Sequence, residues 1–307
     1  MYIGKKEMVQ NRRGRIRNVL LLVVLTLFLL LHNWTAEAIL QAHIPPGIEQ
    51  TDIGFMLAQS EHTESDLQLL SAQTGLHPES IQKLLREGRA QELLQIQQQY
   101  FAPVHIESLH TTPLTISEAV VNKQGDIDYG MPLVDVEDGD ILITKNSRFL
   151  GWRNGHAALV VDAEKGWILE AIMPGTNTKI SPISKWSTYP SFLVLRLKDK
   201  YKKSVEDGEI PLAKQVADYA SGELMNVPYR LLAGVADRSL LKKVGTVEAA
   251  GQDEFFGPAL KGTQCAHLVW YAYKQFGIDL DSDGGLVVTP FDIQNSDYLE
   301  IIQTYGY

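Results

Sequence analysis

The sequence predicts an α+β protein, and three observations lead there. Short apolar strands follow one another between residues 139 and 197, with tight turns between them. Helical segments lie before and after that run instead of alternating with it. Strands joined directly by short turns pair antiparallel, which separates this pattern from a parallel α/β sheet. Composition permits the core: 307 residues, 45% of them apolar and 21% charged, suit one large core plus a small module and do not suit a disordered chain.

The chain opens on a basic stretch ending at Arg17, followed by Val19–Leu31, apolar except for Thr26. These 13 residues fall short of the ~20 that a membrane-spanning helix needs. They fit the apolar part of a signal peptide, and Ala36-Glu37-Ala38 offers small residues for cleavage after Ala38. The alternative is an uncleaved anchor running on through Trp34 and Ile39-Leu40, attaching the chain to a membrane through residues 19–31. Either reading of residues 1–38 places the body outside the cytoplasm, secreted, wall-associated or held at the outer membrane face. These 38 residues carry six Lys/Arg and two acids, so the body holds 22 bases against 35 acids. An acidic body argues against nucleic-acid binding, which needs a cationic surface.

Residues 39–63 read as a linker, broken by Pro45-Pro46-Gly47. Residues 64–100 form a small helical module: Leu67, Leu69, Leu70, Ile81, Leu84, Leu85, Leu93, Leu94 and Ile96 recur at helical spacing. Gly75 to Ser80 supplies a turn and a new helix start. Residues 101–130 read as an irregular connection, with a polar hairpin signal at Gln124-Gly125-Asp126. The main domain, 131–307, then begins. Its strands are Ile141–Ile143, His156–Val161, Trp167–Ala171 and Ser191–Leu197. Pro211 opens a helix reaching to about Ser221. Residues 230–262, punctuated by five glycines, read as a long loop or lid carrying Leu231, Leu232, Leu240, Leu241, Phe255 and Phe256. The last helix runs from Thr263 or Gln264 to Phe276, with Thr263 as N-cap and Gly277 closing it.

Cys265, the one cysteine of the chain, sits in the first turn of that last helix. It forms no internal disulfide, so it is a buried passenger or a working thiol. Unpaired N–H groups and the positive dipole end favour a thiolate there. His156 opens an apolar strand, where an imidazole is costly to bury without partners. Glu170 closes the next strand in the same way. A hairpin pairing Val160 with Gly166 and Ala158 with Ile168 sets His156 directly opposite Glu170, Cβ atoms ~5 Å apart, where a carboxylate orients the ring. A structural His–Glu brace is the competing reading. His267 is two residues beyond Cys265 and faces away from the thiol. His62, His77, His105 and His110 read as surface residues. One cysteine and scattered histidines give no zinc spacing. Asp279 to Gly284 imitates a calcium loop, but Pro290 stands where a bidentate Glu is needed, so no metal or cofactor is expected.

Taken in order, Gly139-Asp140-Ile141-Leu142, Gly155-His156 through Val161, Glu170-Ala171, Pro228-Tyr229, Gln264-Cys265-Ala266-His267-Leu268-Val269-Trp270, Gly277-Ile278-Asp279-Leu280 to Gly285, Thr289-Pro290 and Asp292-Ile293 resemble the permuted NlpC-type papain-fold cysteine hydrolases, closest to their YiiX/YycO-like branch. The resemblance spans about residues 130–301 and leaves 230–262 and the helical module unmatched. It implies a circularly permuted papain-like domain with histidine ahead of cysteine in the chain. It makes Cys265 the nucleophile, His156 the base and Glu170 the orienting group, and places Tyr229 and Gln264 at the oxyanion and substrate side. By analogy of family and compartment, the expected substrate is an amide bond in a cell-wall peptide. A lipid or acyl-amide hydrolase or acyltransferase on the same site is one alternative; a non-catalytic cell-surface binding module is another.

Overall fold

The computed structural model of the chain describes residues 17–29, 41–112, 115–149, 151–201, 210–233 and 260–307. The cleavage motif Ala36-Glu37-Ala38, and residues 234–259 of the expected lid, lie outside these. Residues 17–29 form a helix, α1, with its apolar side chains exposed. Among the described residues no helix is long and apolar enough to cross a membrane.

The fold is α+β with antiparallel sheets. The main sheet has six strands in the order β10-β9-β3-β6-β7-β8. These are β3 (Ile141–Thr144), β6 (His156–Asp162), β7 (Trp167–Glu170), β8 (Lys179–Pro182), β9 (Phe192–Leu197) and β10 (Leu299–Tyr305). All four expected strands are present. A second sheet, β1-β2-β4-β5, is built from β1 (Ile106–Thr112), β2 (Thr115–Val120), β4 (Ser147–Phe149) and β5 (Trp152–Arg153). Residues 101–130 are therefore not irregular throughout as expected: Ile106–Thr112 and Thr115–Val120 pair as the antiparallel strands β1 and β2. The turn read at Gln124-Gly125-Asp126 does form, with Asn122 Oδ1 accepting from the Gln124 and Asp126 N–H groups.

Helices cover both faces of the six-stranded sheet. On one face Ile141, Ala157, Leu159, Leu169, Leu193 and Leu195 pack against α6 (Leu212–Glu223) and α7 (Cys265–Lys274). On the other, Leu142, Ala158, Val160, Ile168 and Val194 pack against α3 (Glu64–Thr74), α4 (Pro78–Arg86) and α5 (Ala90–Tyr100). Double coverage explains why these strands read as continuous apolar runs instead of alternating. It also makes the 64–100 module one layer of a shared core. The segment read as a linker joins this core: Ile53 and Met56, the latter in the short helix α2 (Gly54–Leu57), are fully buried. Leu69, by contrast, faces solvent.

A buried polar cluster ties the layers. Arg196 of β9 binds Asp140 through two hydrogen bonds of 2.9 and 2.8 Å. Asp135, next to it, accepts from Ser80 Oγ on α4 at 2.7 Å and pairs with Lys83. Two helix starts differ from the sequence reading. Pro211 is the residue before α6 rather than its first member. The N-cap of α7 is Gln264, not Thr263, because Thr263 is held extended in a parallel bridge to Tyr229. The last helix, α8 (Pro290–Gln294), opens with a Thr289/Asp292 capping box.

Candidate active site

Cys265 is the first residue of α7, where the helix dipole favours a negative sulfur. Gln264 shapes this end. Its Oε1 accepts the Ala266 N–H at 2.9 Å, and its Nε2 donates to the Val288 carbonyl at 2.6 Å. The side chain expected at the oxyanion side is thus engaged in capping and in strapping the 288–290 turn to the helix. Pro228 and Arg230 run beside Thr263 through 2.9 and 2.7 Å backbone hydrogen bonds, which brings Tyr229 to the thiol.

His156 begins β6. Gly155 before it adopts φ +68°, and a Cβ there would stand 2.6 Å from the Thr144 carbonyl, so the approach to the strand requires glycine. The ring stacks on Trp186, centroids 5.7 Å apart at 24°. Its Nε2 meets Glu170 Oε2 at 2.9 Å, which leaves Nδ1 for the Cys265 side, where ring and sulfur are electrostatically coupled; the thiol itself donates to Gln264 Oε1 at 3.4 Å. His156 stands on one face of the sheet and Cys265 belongs to the core on the other. They meet because His156 is at the strand end, where the sheet no longer separates the faces.

The His156–Glu170 pairing differs from the expected register. The ladder pairs Leu159 with Leu169 and Val160 with Ile168, and it shifts between Val160 and Asp162. Extended, it sets Glu170 opposite Ala158. His156 and Glu170 are diagonal neighbours, a separation of ~7–8 Å that long side chains span. The slip is two residues, so parity is kept and both side chains remain on one face. A four-residue turn with Gly166 at φ +68°, together with the irregularity at Val161, absorbs the difference.

Electrostatics follow from this geometry. Burial pushes the His156 ring down, but hydrogen bonds and charge from Cys265 and Glu170 outweigh it and raise its pKa to about 9. Burial pushes the Cys265 thiol up. The His156 hydrogen bond and charge, with the N–H groups of Ala157 and Ala266, bring it below its ordinary value. Burial also opposes ionisation of Glu170, yet its bonds and charges, led by His156 and followed by Lys185 and Ser181, hold it well below the carboxylate range. The Tyr229 phenol is pushed well up, by burial first and by the Cys265 sulfur second. A thiolate–imidazolium pair braced by a carboxylate is equipped for nucleophilic attack on a carbonyl.

Sequence reasoning missed Lys185 and Trp186, both on the 3-10 helix Ile183–Thr188. Lys185 Nζ donates to Glu170 Oε1 at 2.9 Å. The stretch between β7 and β9 is polar and lacks a helical or strand period, so neither residue was marked. His267 is buried, bonded through Nδ1 to Thr263 Oγ1 at 3.0 Å and packed against Trp270 and Tyr271. His62 binds the Met56 carbonyl and His77 caps α4. In the acidic turn Asp281, Asp283 and Asp292 come within 4.8 Å of one another. Asp292 serves the α8 capping box, and Asp283 accepts the Gly285 N–H at 2.6 Å. No family model matches the chain, and neither a curated protein nor a solved structure matches it.

Proposed function

We propose that the chain is an exported cysteine hydrolase that cleaves an amide bond, in cell-wall peptides, through a Cys265–His156–Glu170 acyl-enzyme mechanism. The observation that carries this reading is the placement of Cys265 at the start of a helix, electrostatically coupled to a His156 ring whose Nε2 meets Glu170 Oε2 at 2.9 Å. His156 takes the proton of Cys265, and the thiolate attacks the carbonyl carbon. The C–N bond then breaks as His156 returns the proton to the leaving amine. Water, deprotonated by His156, attacks the thioester, releases the acid and restores the thiol. N–H groups at the start of α7 and the protonated Tyr229 hydroxyl hold the oxyanion. The order histidine, glutamate, cysteine along the chain supports a permuted papain-like arrangement. The basic stretch before Val19–Leu31 supports export, with release or membrane attachment following cleavage or retention of that segment.

An acyl-amide or lipid substrate is the second reading. Leu231 and Leu232, beside Tyr229, and Leu286 and Phe291, around the 288–290 turn that Gln264 holds, are exposed. The test digests purified cell-wall peptides and acyl-amide lipids with the purified chain, following products by mass spectrometry. Cleavage of the peptides, lost in Cys265→Ser, is expected. Cleavage of the lipids alone transfers the proposal to the second reading. Cleavage of neither, with binding to cell wall retained, leaves a binding module and overturns both.

A further inference from the structure

We infer that Lys185 is a positioning residue of this site, which acts through Glu170 to keep the carboxylate charged and aimed at His156. The inference rests on the Cys265–His156 reading above. Glu170 is fully buried, and its two oxygens are divided: Oε2 receives His156 Nε2 and Oε1 receives Lys185 Nζ, each at 2.9 Å. A buried carboxylate with one side unmatched is costly to hold ionised. Lys185 is fixed in turn. It lies on the 3-10 helix whose Trp186 stacks under the imidazole, and Thr188 Oγ1 closes that turn by donating to the Lys185 carbonyl at 2.8 Å. One short turn thus delivers a cation behind the carboxylate and an indole beneath the ring.

Charge balance gives the reason. Facing the pair are His156 from β6, Ser181 and the exposed Lys179 from β8, Lys185 and Tyr189 from the 3-10 segment, and Cys265 and Tyr229 from the other side. With thiolate, imidazolium, carboxylate and ammonium present, the four buried or half-buried charges sum to zero. Without Lys185 the cluster carries a net negative charge, which opposes formation of the thiolate.

Cys265 is the chain's one cysteine, so its alkylation by iodoacetamide, followed against pH on the full chain, is a direct readout. Lys185→Met should move the midpoint to higher pH, lowering the rate below it roughly tenfold, and Lys185→Arg should restore it. In a Glu170→Gln background, Lys185→Met should add less than about twofold, since the lysine acts through the carboxylate. Where Lys185→Met lacks the native circular dichroism spectrum, Lys185→Gln, which keeps a donor without the charge, should give the same upward move. An unchanged profile in Lys185→Met or Lys185→Gln, or a full effect persisting in Glu170→Gln, overturns the inference. His156→Ala is the separating arm: a profile it leaves unmoved overturns the Cys265–His156 reading itself.

Discussion

Tyr229 stands beside the sulfur with its proton held, because burial and the neighbouring Cys265 both oppose ionisation of the phenol. A neutral hydroxyl next to a developing oxyanion is a donor. Tyr229→Phe should therefore lower kcat by about 10²-fold while leaving the alkylation midpoint of Cys265 in place. An unaltered kcat would remove Tyr229 from the oxyanion site. At this scale Cys265, His156 and Glu170 were legible, since each is a reactive or ionisable group set in an apolar run. Lys185 was not, because a lysine between Ser184 and Trp186 in a polar stretch offers no such contrast. The part taken by Gln264 was hidden for a different reason. Its strap to Val288 depends on a turn that begins more than twenty residues later.

Among the elements, the strands that lie against both cores announced themselves by composition, and their neighbours did not. β8 reads Lys-Ile-Ser-Pro and β1 reads Ile-Glu-Ser-Leu-His-Thr-Thr, segments with too few apolar residues to mark a strand before pairing supplies the context. The two-residue slip in the β6–β7 hairpin has the same origin, since register there depends on a bulge and a left-handed Gly166. The start of β6 is the element the site depends on most. Gly155→Ala would place a methyl against the Thr144 carbonyl in a backbone region that L-residues avoid. Loss of about 1–3 kcal/mol is expected, seen as a lower urea midpoint, together with slower alkylation as His156 shifts. Unchanged stability would show that the turn relaxes and that glycine is not required.

Over the whole molecule, the sheet is a partition: three helices from the N-terminal module cover one face, and α6 and α7 cover the other. The α+β class and the antiparallel main sheet were legible from strand spacing. The shared core was not, because helical periodicity gives the apolar stripe of a module without naming the surface that receives it. The site requires both layers, since Trp186 and the ring belong with one core and the thiol with the other. Opposite shifts at Cys265 and His156 mean that around neutral pH the proton gained by the ring is the one lost by the sulfur, so that pair adds little pH dependence to folding stability there. Glu170 differs: held below its ordinary range, it contributes stability above that range that is lost on acidification.

Thiol reactivity sees the pair directly. The decisive measurement is the rate of Cys265 alkylation by iodoacetamide against pH, in the wild type and in His156→Ala. Assembly of the pair gives a wild-type midpoint well below ~8.5 and a midpoint at or above that value in the variant. A wild-type midpoint already at the free-thiol value, or identical profiles for the two proteins, would contradict the account.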